Sequence, residues 1–186
     1  MVPERDPASG LLPLGRHVCS ESEVEVAFVS AAEFTGSPTR ASIWRDWQRA
    51  ARLLRTAVTV HAAWLGGSFT TSKVDPEDLD VTFVINGADM RTRSPQEQKI
   101  ITLFATGGQV KAALGLKLDS FVIPWECIPQ PQNVGLNGVG DPYYWARGHW
   151  DDWWQRRRLS PKTVLPGPAD ASPRRGYLEV PFSDYP

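Results

Sequence analysis

Asp78 and Asp80, separated by Leu79, are the residues of this 186-residue chain whose type and spacing best suit chemistry. In an extended strand, residues two apart face the same way, so the two carboxylates are expected side by side, with Leu79, Val81 and Phe83 turned into apolar packing. Two carboxylates held that close repel by about 4 kcal/mol at ~4 Å and an effective dielectric of about 20. A divalent cation between them removes that cost, and hard oxygen ligands suit Mg²⁺. Upstream, the apolar run Ala62-Ala63-Trp64-Leu65 ends in Gly66-Gly67-Ser68, with nine residues between Ser68 and Asp78. Paired glycines let the backbone turn sharply with no Cβ in the way. Ser68 is expected to open a short helical turn whose hydroxyl and N–H groups suit a phosphate. Lys73, in the crossing between turn and acids, is a candidate to neutralise phosphate charge. Each feature alone is ordinary; the combination is that of a site handling a nucleoside triphosphate.

That combination resembles the signature of the nucleotidyltransferase superfamily to which DNA polymerase beta belongs. The signature is an apolar residue, Gly-Gly or Gly-Ser, a spacer, Asp-x-Asp, and a third carboxylate on a later strand. Leu65-Gly66-Gly67-Ser68 and Asp78-Leu79-Asp80 match the first parts, and Asp119, in Leu116-Lys117-Leu118-Asp119-Ser120-Phe121-Val122-Ile123, is the third candidate. Gly67 through Asp80, with Arg175-Gly176 near the end, look more like a bacterial branch of small single-domain members. The resemblance implies transfer of a nucleoside monophosphate from an NTP to a hydroxyl of RNA, protein or a small molecule. It implies Asp78, Asp80 and Asp119 as catalytic, metal-binding residues, Gly66, Gly67, Ser68 and Lys73 as phosphate binders, and Mg²⁺ or Mn²⁺ as cofactor. It also implies a setting such as a toxin–antitoxin or phage-defence system, with a cognate partner. A second reading keeps the fold as a non-catalytic module that binds a nucleotide or a protein partner.

Composition narrows the class. Charged residues make up 22% and hydrophobic ones 41%, as in an ordinary globular protein, and a net charge of −1 argues against a surface coated for non-specific nucleic-acid binding. The two cysteines, Cys19 and Cys127, form no metal-ligand or disulfide pattern. The polar, Pro-rich opening carries no signal-peptide pattern, and no apolar run approaches a membrane span, so a cytoplasmic location and no membrane partner are expected.

Periodicity and punctuation give the elements that must hold the site. An α/β (α+β) fold is expected, which the resemblance makes a nucleotidyltransferase-type mixed sheet of roughly three to five strands with helices on one face. Residues 1–36 read as an N-terminal arm with a short helix over 24–34, and 37–186 as the nucleotidyltransferase-like remainder of a single domain. Ser37-Pro38 starts a helix over 39–57 with Ile43, Trp47, Ala50, Ala51, Leu54 and Val58 on its apolar stripe. The core strands are centred on 61–65 and 79–85. Ser94-Pro95 with Glu97 opens a helix over 95–105, and a shorter one over 109–114 leads into the Asp119 strand, which Pro124 is expected to end. The Pro/Gly/Asn-rich stretch 129–140 reads as a flap, 143–158 as an aromatic helix, and 176–180 as a last strand. His17, His61 and His149 have no partner pattern and are assigned no role.

Overall fold

Runs rich in Val, Phe, Trp and Ile supply the central strands of the computed structural model, which describes residues 1–130, 142–161 and 163–182. β1 (Gly15–Val18), β2 (Val60–Gly66), β3 (Leu79–Asn86), β4 (Leu118–Trp125) and β5 (Gly176–Pro181) form one mixed sheet in the order β1-β5-β2-β3-β4. β2 runs antiparallel to both β3 and β5, while β4 is parallel to β3 and β1 parallel to β5.

Alternation along the strands separates two layers. Leu65, Leu79, Val81, Phe83, Ile85 and Val180 face one side and pack on Ile43, Trp47 and Leu54 of α2 (Arg40–Ala57) and on Ile101 and Phe104 of α4 (Pro95–Ala105). Each such fully buried side chain contributes about 1.5–3 kcal/mol. α1 (Glu21–Phe28) adds Val24 and Phe28 to this layer, and α5 (Gln109–Leu114) adds Val110. Ala62, Trp64, Val84, Ile123 and Tyr177 face the other side, where Tyr143 and Trp154 of α6 (Pro142–Gln155) cover them. The mixed sheet with packed helices is therefore present, at the five-strand end of the expected range, and α6 clothes the second face as well. Aromatics drive that packing: α6 buries Tyr143 and Trp154 but leaves Trp145 at 70% and Trp153 at 49% exposure.

Local signals account for most boundaries. Ser94 accepts from the Glu97 N–H while Glu97 returns to the Ser94 N–H, the expected capping box on α4. Ser20 and Glu23 make the same box on α1, so that helix starts at Glu21 and stops at Phe28; a 3-10 turn, Ala32–Phe34, replaces the rest of the expected helix. The N-terminal arm gives an edge strand, β1, where a surface arm was expected. α3 (Gly87–Thr92), capped by Asn86, fills what the sequence suggested was a turn. Pro124 does not end β4: it stays in register with Ile85. Among the described residues β4 is the sheet edge, and an edge strand tolerates a residue without an N–H because one side of its backbone faces no partner strand there. α6 closes at Gln155, before the arginine run. The expected flap falls mostly on residues 131–141, outside the described residues. Among the described residues, no helix is long and apolar enough to cross a membrane.

Candidate functional site

β3 carries Asp80 in its second position, and the parallel register sets Asp80 opposite Asp119 of β4. In-register residues on parallel strands point to the same face, and neighbouring strands lie about 4.8 Å apart. The shared face is the one α6 covers: Trp154 donates from its indole nitrogen to Thr82 Oγ1 at 3.0 Å, two residues along from Asp80. Across β2, Gly66 is the register partner of Asp80.

Gly67 makes the close approach on the other side of Asp80. Its backbone, φ 66° and ψ −160°, lies in a region open to glycine alone, and a Cβ built there would overlap the Asp80 carboxylate. The 3-10 turn Ser68–Thr70 starts directly after it, as expected for Ser68. The crossing that follows is stapled by Arg40, a buried residue of the first turn of α2 that the sequence reading passed over. Its five N–H groups reach five carbonyls: Phe28 at 2.7 Å, Phe69 at 2.9 Å, Thr71 at 2.9 Å, Lys73 at 2.5 Å and Val74 at 3.1 Å. The Phe34 ring lies 3.6 Å from the guanidinium carbon. Burial pulls the Arg40 pKa down to about 10. Lys73 thereby has its backbone fixed and its side chain exposed.

Each of the three acids has its own cationic or hydrogen-bonding neighbour. Asp78 lies one residue before β3 and forms an ion pair with Lys111 of α5, Nζ to Oδ2 at 3.2 Å. Asp119 Oδ1 accepts from the Gly108 N–H at 2.7 Å. Gly107 makes that approach possible, since a Cβ there would meet the Phe121 ring at 2.9 Å and Asp119 Oδ1 at 3.1 Å. Arg175, buried just before β5, donates to Thr70 Oγ1 at 2.5 Å; burial pulls its pKa down to about 10, against which the Asp80 charge acts. The fold thus brings Asp80, Asp119, Gly66 and Gly67 together and sets Asp78 beside Lys111. Among the described residues, no group of three His, Cys, Asp or Glu side chains is clustered as a ready-made metal cage. Asp80 and Asp119 are nonetheless hard oxygen donors on one face, and the missing Cβ of Gly67 lets the Asp80 carboxylate lie directly against the turn. That donor chemistry is of the kind that suits Mg²⁺ or Mn²⁺.

Lys111, Gly107 and Gly108 went unassigned in the sequence because a glycine pair reads as a helix break and a lone lysine as solvated surface. Arg175 carried a signal only through its place next to Gly176.

Fold and site define a small α+β protein whose mixed five-stranded sheet carries paired acids beside a glycine turn. Residues 3–181 match a family of unknown function, DUF6932, and the chain belongs to that family. No curated protein and no solved structure matches it.

Proposed function

We propose that the chain is a metal-dependent nucleotidyltransferase, moving a nucleoside monophosphate from an NTP to a hydroxyl of an acceptor such as RNA, protein or a small molecule, with pyrophosphate as the leaving group. The observation that carries this reading is the register pairing of Asp80 with Asp119, with the Gly67 turn against the Asp80 carboxylate. Asp80 and Asp119, with Asp78, would hold Mg²⁺ or Mn²⁺, which would supply charge neutralisation at the phosphoryl oxygens. Gly66 lets Trp154 and Gly67 lets the Asp80 carboxylate lie against the turn, whose backbone together with the Ser68 hydroxyl and the 3-10 turn it starts would bind the phosphates. Lys111, released from Asp78, and Lys73 balance the triphosphate charge. Asp119, its Oδ1 held by the Gly108 N–H, would either complete the metal site or accept the proton of the attacking hydroxyl on Oδ2. The protein's share is positioning and charge neutralisation, with little covalent chemistry of its own.

The test is incubation of the protein with α-labelled nucleoside triphosphates, Mg²⁺ or Mn²⁺, and total cellular RNA and protein. Label transferred by the native chain and absent with Asp80→Asn supports transfer; no transfer to any acceptor rejects it.

The second reading, a non-catalytic module that binds a nucleotide or a partner in an antitoxin-like role, is favoured by one observation. Lys111, Gly108 and Arg175 already attend the three acids, so the arrangement needs no cation to be electrostatically tolerable. Tight nucleotide binding that moves no label selects this reading.

A further inference from the structure

Residues four apart on a helix share a face, and along α6 one such row, Trp145, His149 and Trp153, is exposed throughout. The three rings stack on one another. Trp145 and His149 lie 5.2 Å apart between ring centres at 11°, and His149 and Trp153 6.1 Å apart at 16°. Packing accounts for the inner aromatics of the helix: Trp154 donates to Thr82 Oγ1, and the Trp150 ring lies 4.3 Å from that of Phe121. It does not account for Trp145 and Trp153. A contiguous exposed row, unlike scattered single residues, marks an interaction surface.

The row ends beside the acids. Trp153 precedes Trp154, whose ring lies against Gly66, the register partner of Asp80. Phe121, under Trp150, is two residues along β4 from Asp119. Cations gather at this same end. Arg157 follows the helix and is exposed, and the bridge between Arg156 and Pro173, with the Arg174 N–H donating to Gln155 O at 2.7 Å, brings exposed Arg174 alongside. The Arg157 charge acts on buried Arg175, as the Asp80 charge does. Among the described residues neither Arg157 nor Arg174 has an ion-pair partner, and Asp152, the acid beside Trp153, is paired with Arg156. A helix C-terminus attracts cations, which accounts for the arginines and leaves the rings unexplained. Rings for bases and cations for phosphates, side by side, are what a single-stranded nucleic acid needs.

We propose that the outer face of α6 binds single-stranded RNA, its bases on the Trp145–His149–Trp153 row and its phosphates at Arg157 and Arg174, and brings its terminal hydroxyl to Asp119. The last step rests on the transferase reading, and it selects RNA among the acceptors. Because every base has a face to stack, binding is tolerant of sequence.

Fluorescence anisotropy of the native chain with a labelled single-stranded RNA of about ten nucleotides, in EDTA and without nucleoside triphosphate, tests the surface. Binding at about micromolar concentration in low salt is expected, weakening as salt rises. Trp145→Ala and Trp153→Ala should each weaken it by about fivefold or more. Arg157→Gln should flatten its salt dependence. All three side chains are exposed, so the variants keep their cores. No binding up to about 100 μM overturns the proposal. So does binding that both tryptophan variants retain in full, equal binding of an RNA duplex, or tighter binding of DNA of the same sequence. Sedimentation that shows a dimer lost in Trp145→Ala also overturns it, giving the face to a second copy of the chain. Nucleotide label found on protein and never on RNA overturns the acceptor assignment while the transferase reading stands. RNA binding through the row in a chain that labels nothing upholds the surface and rejects only the transferase reading.

Discussion

Asp80 and Asp119 are direct register partners on two neighbouring parallel strands, so their carboxylates lie on one face of the sheet. A bound divalent ion stabilises whatever state holds it, by about 2.7 kcal/mol at a hundred times its dissociation constant. Saturating Mg²⁺ or Mn²⁺ should therefore raise the thermal midpoint of the native protein. Asp80→Asn and Asp119→Asn should lose that rise, and equal rises in all three would exclude these residues as ligands.

Gly67→Ala should lower stability by about 1–3 kcal/mol, because the substitution forces a side chain into a glycine-only conformation. It should also push the Asp80 carboxylate aside. Gly36→Ala is the control: its φ of 87° is also positive, but a Cβ there meets nothing within 4 Å. Divalent-ion binding should fall in the first variant and persist in the second, as measured by calorimetry.

Lys111→Met removes the partner of Asp78. Because the pair is half-exposed, stability should change by less than about 1 kcal/mol. Freed from the ammonium, Asp78 should raise affinity for Mn²⁺, read by electron paramagnetic resonance. Unchanged or weaker Mn²⁺ binding would remove Asp78 from the ligand set.

Much of this arrangement was legible in the residues, for reasons that are local. Ser94 and Glu97 specify a helix start by hydrogen bonds four residues wide, and the stripe through Ile43, Trp47 and Leu54 specifies a buried face without outside help. Gly66-Gly67-Ser68 and the strand after Asp78 were equally readable. What was hidden depends on partners distant in the chain. That Asp119 pairs with Asp80 and not Asp78 is fixed by the β3–β4 register, which no short window contains. β1 is four residues long and is a strand only because β5 accepts it. Arg40 belongs to no short-range pattern, and only the folded crossing shows the carbonyls it reaches.

Arg40→Lys should destabilise the protein by about 3 kcal/mol or more. An ammonium has three donors where the guanidinium supplies five, so buried carbonyls lose their partners. Chemical denaturation measures the loss; a change under about 1 kcal/mol would show that the crossing holds without the staple.

Asp170 gives a pH prediction. Backbone N–H groups of Ser160, Leu159 and Gly167 donate to its carboxylate and hold its pKa well below the usual range. A carboxyl whose folded pKa is depressed stabilises the fold above its unfolded value, and that stabilisation is lost as pH falls through the folded value. In the folded protein the amide resonances of residues 159, 160 and 167 should therefore hold steady as pH falls through about 4, the ordinary aspartate range, and move only in stronger acid. In Asp170→Asn those resonances should be displaced already at neutral pH and should respond less to acid.

The proline in register at the rim of the sheet bears on behaviour at high concentration. A bare strand edge is a template on which another chain can add its own strand, the first step of fibrous aggregation. Pro124 interrupts the row of donors such an incoming strand needs, and the opposite rim, β1, is only four residues long. Among the described residues both margins of the sheet therefore discourage intermolecular zippering, and Pro124→Val should make the purified protein more prone to fibril formation while leaving the interior packing intact.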